Sequence, residues 1–202
     1  SQPTLACKIA EVASRQGIAS LDAPVSGGDV GARDGILSIM VGGDASAFAR
    51  VQPIFDVLGK QALLQGGPGA GQHAKMVNQI IIASTMIGVC EGLVYAGRSG
   101  LDRGRVLESV SGGAAGSWSL THLAPRMLKD DMDPGFFVEH FIKDMGIAIE
   151  ECDRMGIDLQ GLSLARRLYQ RVIDDGGARL GTQALFAAIE KLAESDGADP
   201  HD

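Results

Sequence analysis

The cluster Gly66-Gly67-Pro68-Gly69 divides this chain of 202 residues into two parts with different hydrophobic patterns. Before it, short apolar runs alternate with helical ones; after it, no run reads as a strand. Residues 3–19 place Leu5, Ile9, Val12 and Ala13 at helical spacing, with Gly17 as the stop. Strands are predicted over 18–25, ended by Ser26-Gly27-Gly28, over 36–41, closed by Gly42-Gly43-Asp44, and over 61–65. Between the last two, Phe48, Val51, Phe55 and Leu58 predict a helix over 45–58. Such alternation predicts an α/β sheet, of which three strands form only the edge.

Downstream of the cluster, a long helix is predicted over 70–100. Further helices are predicted over 102–110, 119–128, 140–155, 163–175 and 183–193, with a loop through Gly112, Gly113 and Gly116. Asp174-Asp175-Gly176-Gly177 and residues 196–202 read as solvated turn and tail. The fold class is therefore α/β followed by all-α, with domains at 1–67 and 68–202. The apolar run at 80–90 is shorter than the about 20 residues a bilayer needs. Asn78, Gln79 and Glu91 flank it, so it reads as a buried helix of a soluble protein.

A net charge of -7 excludes nucleic acid and anionic membranes as natural partners, since both call for a basic surface. A small anion is still allowed, because a local lysine outweighs distant charge within a screening length. The thiols Cys7, Cys90 and Cys152 are odd in number and widely spaced, which argues against a disulfide framework or metal site. Reduced, mostly buried thiols in a cytoplasmic protein are the expectation. The opening Ser1-Gln2-Pro3 has no secretory signal after it and reads as the start of a trimmed or partial chain.

Lys75, Asn78 and Gln79 stand at i, i+3 and i+4 near the start of the long helix, a spacing that puts three polar groups on one face. The helix N-terminus favours a bound carboxylate and, with burial, favours a lysine able to exchange protons near neutral pH. Such a lysine can protonate a carbonyl oxygen as hydride reaches carbon, and take the proton back in reverse. The competing reading is a surface lysine beside solvated amides. Ser26-Gly27-Gly28, directly after a strand, exposes backbone N–H groups suited to a carboxylate or hydroxyl, or is an ordinary turn. His73 reads as a solvent-facing residue. Trp118, in a glycine-rich loop, lines a site or packs in the core. Lys143-Asp144 interrupts the apolar face of Phe136-Phe137-Val138-Glu139-His140-Phe141-Ile142.

In order, these segments resemble the β-hydroxyacid dehydrogenase family, which includes 3-hydroxyisobutyrate dehydrogenase and tartronate semialdehyde reductase. Asp22-Ala23-Pro24-Val25-Ser26-Gly27-Gly28 is similar to the family's substrate-binding motif. Gly69-Ala70-Gly71-Gln72-His73-Ala74-Lys75 is similar to its catalytic segment, and the stretch from Phe136 to Lys143-Asp144 to the one that reaches the nicotinamide. The resemblance implies Lys75 as general acid/base and Ser26, Gly27, Gly28, Asn78, Gln79 and Trp118 as substrate-binding residues. It implies Lys143 and Phe136 as cofactor contacts, no metal, and NAD or NADP as cofactor.

Asn78-Gln79 is similar to tartronate semialdehyde reductases, which favours a small aldehyde acid as substrate. A homo-oligomer, dimer or tetramer, is implied as well, with the apolar stretch 80–95 as a surface that would bury well. The family's glycine-rich dinucleotide turn has no counterpart in this sequence. The expectation is the far edge of a Rossmann-type sheet, a long interdomain helix and a helical domain, in a chain inactive on its own. The rivals are a non-catalytic helical assembly or binding module and an imine reductase, against which Lys75 argues. A phosphogluconate dehydrogenase would need a longer helical domain and further cations.

Overall fold

A computed structural model describes residues 2–195, in two compact units divided between Asn78 and Gln79, within one long helix. The tail read at 196–202 lies outside the described residues.

In the first unit, α1 (Pro3–Arg15) precedes two very short strands, β1 (Leu21–Asp22) and β2 (Val25–Ser26). Both pair antiparallel with β3 (Leu37–Gly43), and β4 (Gly59–Gly66) runs parallel along its other side. A parallel pair needs a crossover, which α3 (Ala45–Leu58) supplies. Asp44 caps α3 by accepting from the Ala47 N–H at 2.9 Å. Leu37, Ile39 and Val41 of β3 form the core, with Leu21, Phe48, Phe55 and Leu64 packed on them.

Two expectations change here. The strand read over 18–25 is broken at Ala23-Pro24 into two bridges to β3. Ser26-Gly27-Gly28 leads not into a plain turn but into α2 (Gly28–Arg33), with Gly27 at φ 134° and Gly28 at φ 64°. The helix expected from Leu5, Ile9 and Val12 does form as α1, with all three side chains exposed and only Pro3 and Ala6 buried. Strands of two residues present too little apolar surface to cover a helical stripe.

The long helix α4 spans Ala70–Arg98. At 29 residues it exceeds the apolar run read from the sequence and is long and apolar enough to cross a membrane. Ala83, Met86, Cys90 and Leu93 are nevertheless almost wholly buried along one side of it. They join Phe141, Met145 and Ala148 of α7 (Val138–Met155), Leu162, Ala165 and Tyr169 of α8 (Gln160–Asp174), and Leu185 of α9 (Leu185–Ser195) in the core of the second unit. Burial pushes the Cys90 thiol well above its ordinary range, while Cys7 is exposed. α5 (Arg103–Ser111) is capped by Asp102.

The helix predicted over 119–128 is a π-helical turn, Ser119–Leu123, running into a short α6 (Ala124–Met127). Pro125 has no N–H to give and its ring crowds the carbonyl four residues back. The widened turn, in which the Ala124 N–H donates to the Ser119 carbonyl, accommodates it.

Candidate active site

The N-terminus of α4 is built directly onto the sheet backbone. Asp22, at the end of β1, accepts from the Gly69 N–H at 2.7 Å and the Gln72 N–H at 2.8 Å, one to each carboxylate oxygen. An acid 47 residues upstream thus caps the helix with two charge-assisted bonds. Its approach depends on glycines: a Cβ at Gly71 would lie 2.4 Å from the Met40 carbonyl oxygen, and one at Gly42 would lie 2.6 Å from the Gly71 nitrogen.

This seating sets Lys75. Its half-buried side chain reaches back so that Nζ donates to the Val25 carbonyl at 2.9 Å. Val25 immediately precedes the Ser26-Gly27-Gly28 turn, so two segments 50 residues apart, singled out separately in the sequence, come together. Ser26 is half-buried in β2 opposite Ser38, and Gly27 and Gly28 are exposed at the start of α2, where the first amides have no helical partner. Asn78, three residues after Lys75, lies on the same face of α4, while His73 is exposed.

Gln79 behaves differently. It stands one turn beyond Lys75, yet it is only 2% exposed. Its Nε2 donates to Asp144 Oδ2 at 2.8 Å. The other oxygen of Asp144 stands 2.9 Å from Lys143 Nζ. The second unit therefore links the buried Gln79 through the buried Asp144 to the exposed Lys143. Spacing missed Asp144 because a buried acid and a solvated one look alike in sequence.

The segment before α7 is clamped from two sides. Arg126 donates through Nε and Nη2 to the Asp131 carboxylate, which this pair holds down at a pKa of about 2. Gln183 Nε2 donates to the carbonyls of Asp131 and Asp133, and the Thr182 N–H to that of Phe136. The clamp sets Phe136, whose ring meets Phe141 edge-on at 6.1 Å. Trp118 is 65% exposed, so the core-packing reading does not hold for it. One face of its ring is stacked on His122 at 4.6 Å.

A family model described as the NAD-binding domain of NADP-dependent 3-hydroxyisobutyrate dehydrogenase matches residues 69–189. The chain belongs to the β-hydroxyacid dehydrogenase family. A second model, the NAD-binding domain of 6-phosphogluconate dehydrogenase, matches residues 1–67. Among relatives of this family member, the 3-hydroxyisobutyrate dehydrogenase-like 1 protein of Arabidopsis thaliana is 52% identical over 192 residues, 95% of this chain and 57% of its own. The 2-hydroxy-3-oxopropionate reductase of Escherichia coli is 42% identical over 173 residues, 86% of this chain and 59% of its own. The solved 3-hydroxyisobutyrate dehydrogenase of Mycobacterium tuberculosis, with L-serine, superposes at a TM-score of 0.86 with 29% identity, over 93% of this chain and 67% of that one. The chain thus spans a little under three fifths of the length of the two curated relatives.

Proposed function

We propose that this chain carries the proton-transfer and substrate-binding part of an NAD(P)-dependent 3-hydroxyacid dehydrogenase, which interconverts a small 3-hydroxy acid and its oxo acid or semialdehyde. The observation that carries the reading is the 2.9 Å bond from Lys75 Nζ to the Val25 carbonyl, beside the Ser26-Gly27-Gly28 turn. A carbonyl acceptor orients an ammonium without neutralising it. An ammonium has three donors, so this anchoring is compatible with donation to a substrate oxygen.

In the reducing direction, Lys75 gives its proton to the carbonyl oxygen as the carbon is reduced; in the oxidising direction, neutral Lys75 removes it from the hydroxyl. Ser26 and the N–H groups of Gly27 and Gly28 take the substrate carboxylate. Asn78 and Trp118 orient the rest of the molecule. The nicotinamide, when bound, supplies or accepts hydride. Lys143 and Phe136 are the residues of this chain assigned to that end of the cofactor: an exposed cation and a partly exposed ring suit its polar and aromatic parts. No glycine-rich strand–turn–helix cradle for a pyrophosphate occurs among the described residues. We assign residues 1–67 to the far part of the nucleotide-binding sheet and 68–202 to substrate and subunit contacts.

The E. coli relative's activity and the Asn78-Gln79 pair both favour a small aldehyde acid as substrate. The test is an NADH- and NADPH-linked assay with 3-hydroxyisobutyrate and 2-hydroxy-3-oxopropionate. It is run on a chain that includes a dinucleotide-binding segment, taken from the Arabidopsis relative. Turnover of one of these acids is expected; turnover of cyclic imines alone would overturn the reading.

Self-association belongs to the same proposal. Ile81 and Tyr95 on α4 are 60% and 73% exposed, and added Cβ atoms at Gly88 and Gly92 between them would meet nothing within 4 Å. A second copy can approach such a face closely. Sedimentation velocity is expected to show a dimer or tetramer that Ile81→Asp dissociates; a monomer at all concentrations would count against it. The free thiols suit a reducing compartment, and we place the protein in the cytoplasm.

A further inference from the structure

Asp144 is a carboxylate with 10% of its side chain exposed, which makes it costly unless both oxygens are satisfied. Both have partners: Oδ2 accepts from Gln79 Nε2 at 2.8 Å, and Oδ1 is 2.9 Å from Lys143 Nζ. Neither contact is a routine helix pair. Gln79 lies 65 residues away on α4. Lys143 is the neighbour of Asp144 on α7, and adjacent helical residues do not face one another. The lysine must therefore fold its stem across the helix surface to reach the acid, while 58% of its side chain is still exposed. A solvated lysine samples many rotamers; this one is tied to a carboxylate that Gln79 and the packing of Phe141, Met145 and Ala148 hold in place. The carboxylate also settles the orientation of the Gln79 amide, since only its NH₂ can donate to an acceptor.

We propose that Asp144 is a positioning residue of the dehydrogenase site, holding the Lys143 ammonium at a fixed point of α7 and tethered in turn by Gln79. It rests on the assignment of Lys143 to the nicotinamide end of the cofactor. Asp144 itself touches no substrate; it acts by confining the lysine. Gln79 then serves to anchor Asp144.

A double-mutant cycle tests this in the NAD(P)-linked assay, on the chain that includes a dinucleotide-binding segment. Asp144→Asn keeps the volume and removes the charge that holds Lys143. It is expected to raise the dinucleotide KM about tenfold, with kcat changed less. Lys143→Ala should give a similar rise, and the double variant little more than either alone, because both remove one interaction. Multiplying effects, or an unchanged KM in Asp144→Asn while Lys143→Ala is impaired, would overturn the inference alone. An unaffected Lys143→Ala would overturn the cofactor assignment and this inference with it.

If Asp144→Asn does not fold, the unmutated chain still decides the matter. NMR order parameters at the Lys143 Cε should exceed those at Lys8, which is exposed on α1. A Lys143 as mobile as Lys8 refutes confinement.

Discussion

Lys75→Ala should lower kcat by about 10²–10⁴-fold, the range in which a positioned general acid or base contributes, with the dinucleotide KM little changed. The residue sits where two constraints meet. The first turn of α4 is fixed on the sheet by the two bonds from Asp22, and the ammonium is docked on the Val25 carbonyl. Lys75→Arg separates charge from proton transfer. A guanidinium keeps the positive charge and can donate hydrogen bonds, but it does not release a proton at any working pH. If Lys75 moves a proton, Arg should recover less than a tenth of the native kcat. Recovery to near-native turnover would mean that the site needs only a cation, and an active Lys75→Ala would remove Lys75 from the chemistry altogether. Both variants are compared in steady-state assays in the reducing direction.

Sequence pattern read some features of this fold well, and the difference is physical. β3, α3, β4 and the span of α4 were legible because each carries a local signal: a short apolar run, the helical spacing of Phe48, Val51, Phe55 and Leu58, or a glycine break. The stripe on α1 located a helix but not a buried face, because periodicity reports what a helix could bury, not whether a surface exists for it to rest on. Asp22 was visible only as part of a motif. Its work is to hold the Gly69 and Gln72 amides, a long-range contact that no spacing rule encodes. Lys75, Asn78 and Gln79 were grouped by helical spacing, but spacing does not encode burial, and Gln79 is enclosed at 2% exposure with Asp144 as its partner. The π-helical turn before Pro125 was not legible in a plain helical reading of 119–128: whether a helix breaks or widens around a proline is decided by packing, here with Ser119, Leu120 and Leu123 buried.

The largest expected loss of stability follows from the same seating of α4. Gly71→Ala should destabilise the protein by about 3 kcal/mol, the upper part of the range for overpacking. An added Cβ would stand 2.4 Å from the Met40 carbonyl oxygen, 2.8 Å from that of Asp22 and 2.8 Å from the Gly42 nitrogen. All three are backbone atoms of β1 and β3, so no rotamer change can relieve the clash; the helix must lift off the sheet. Lifting it lengthens the bonds from Gly69 and Gln72 to Asp22, so capping energy is lost together with packing.

Helix propensity alone predicts the opposite sign, since alanine in a helix is favoured over glycine by about 1 kcal/mol. Gly146→Ala on α7, where a Cβ would meet nothing within 4 Å, should show that gain and serves as the control. Urea unfolding followed by circular dichroism measures both. A Gly71→Ala variant within 1 kcal/mol of the native protein would mean that α4 can shift without cost, in which case the seating could not hold Lys75 against Val25 in the way the proton-transfer role requires.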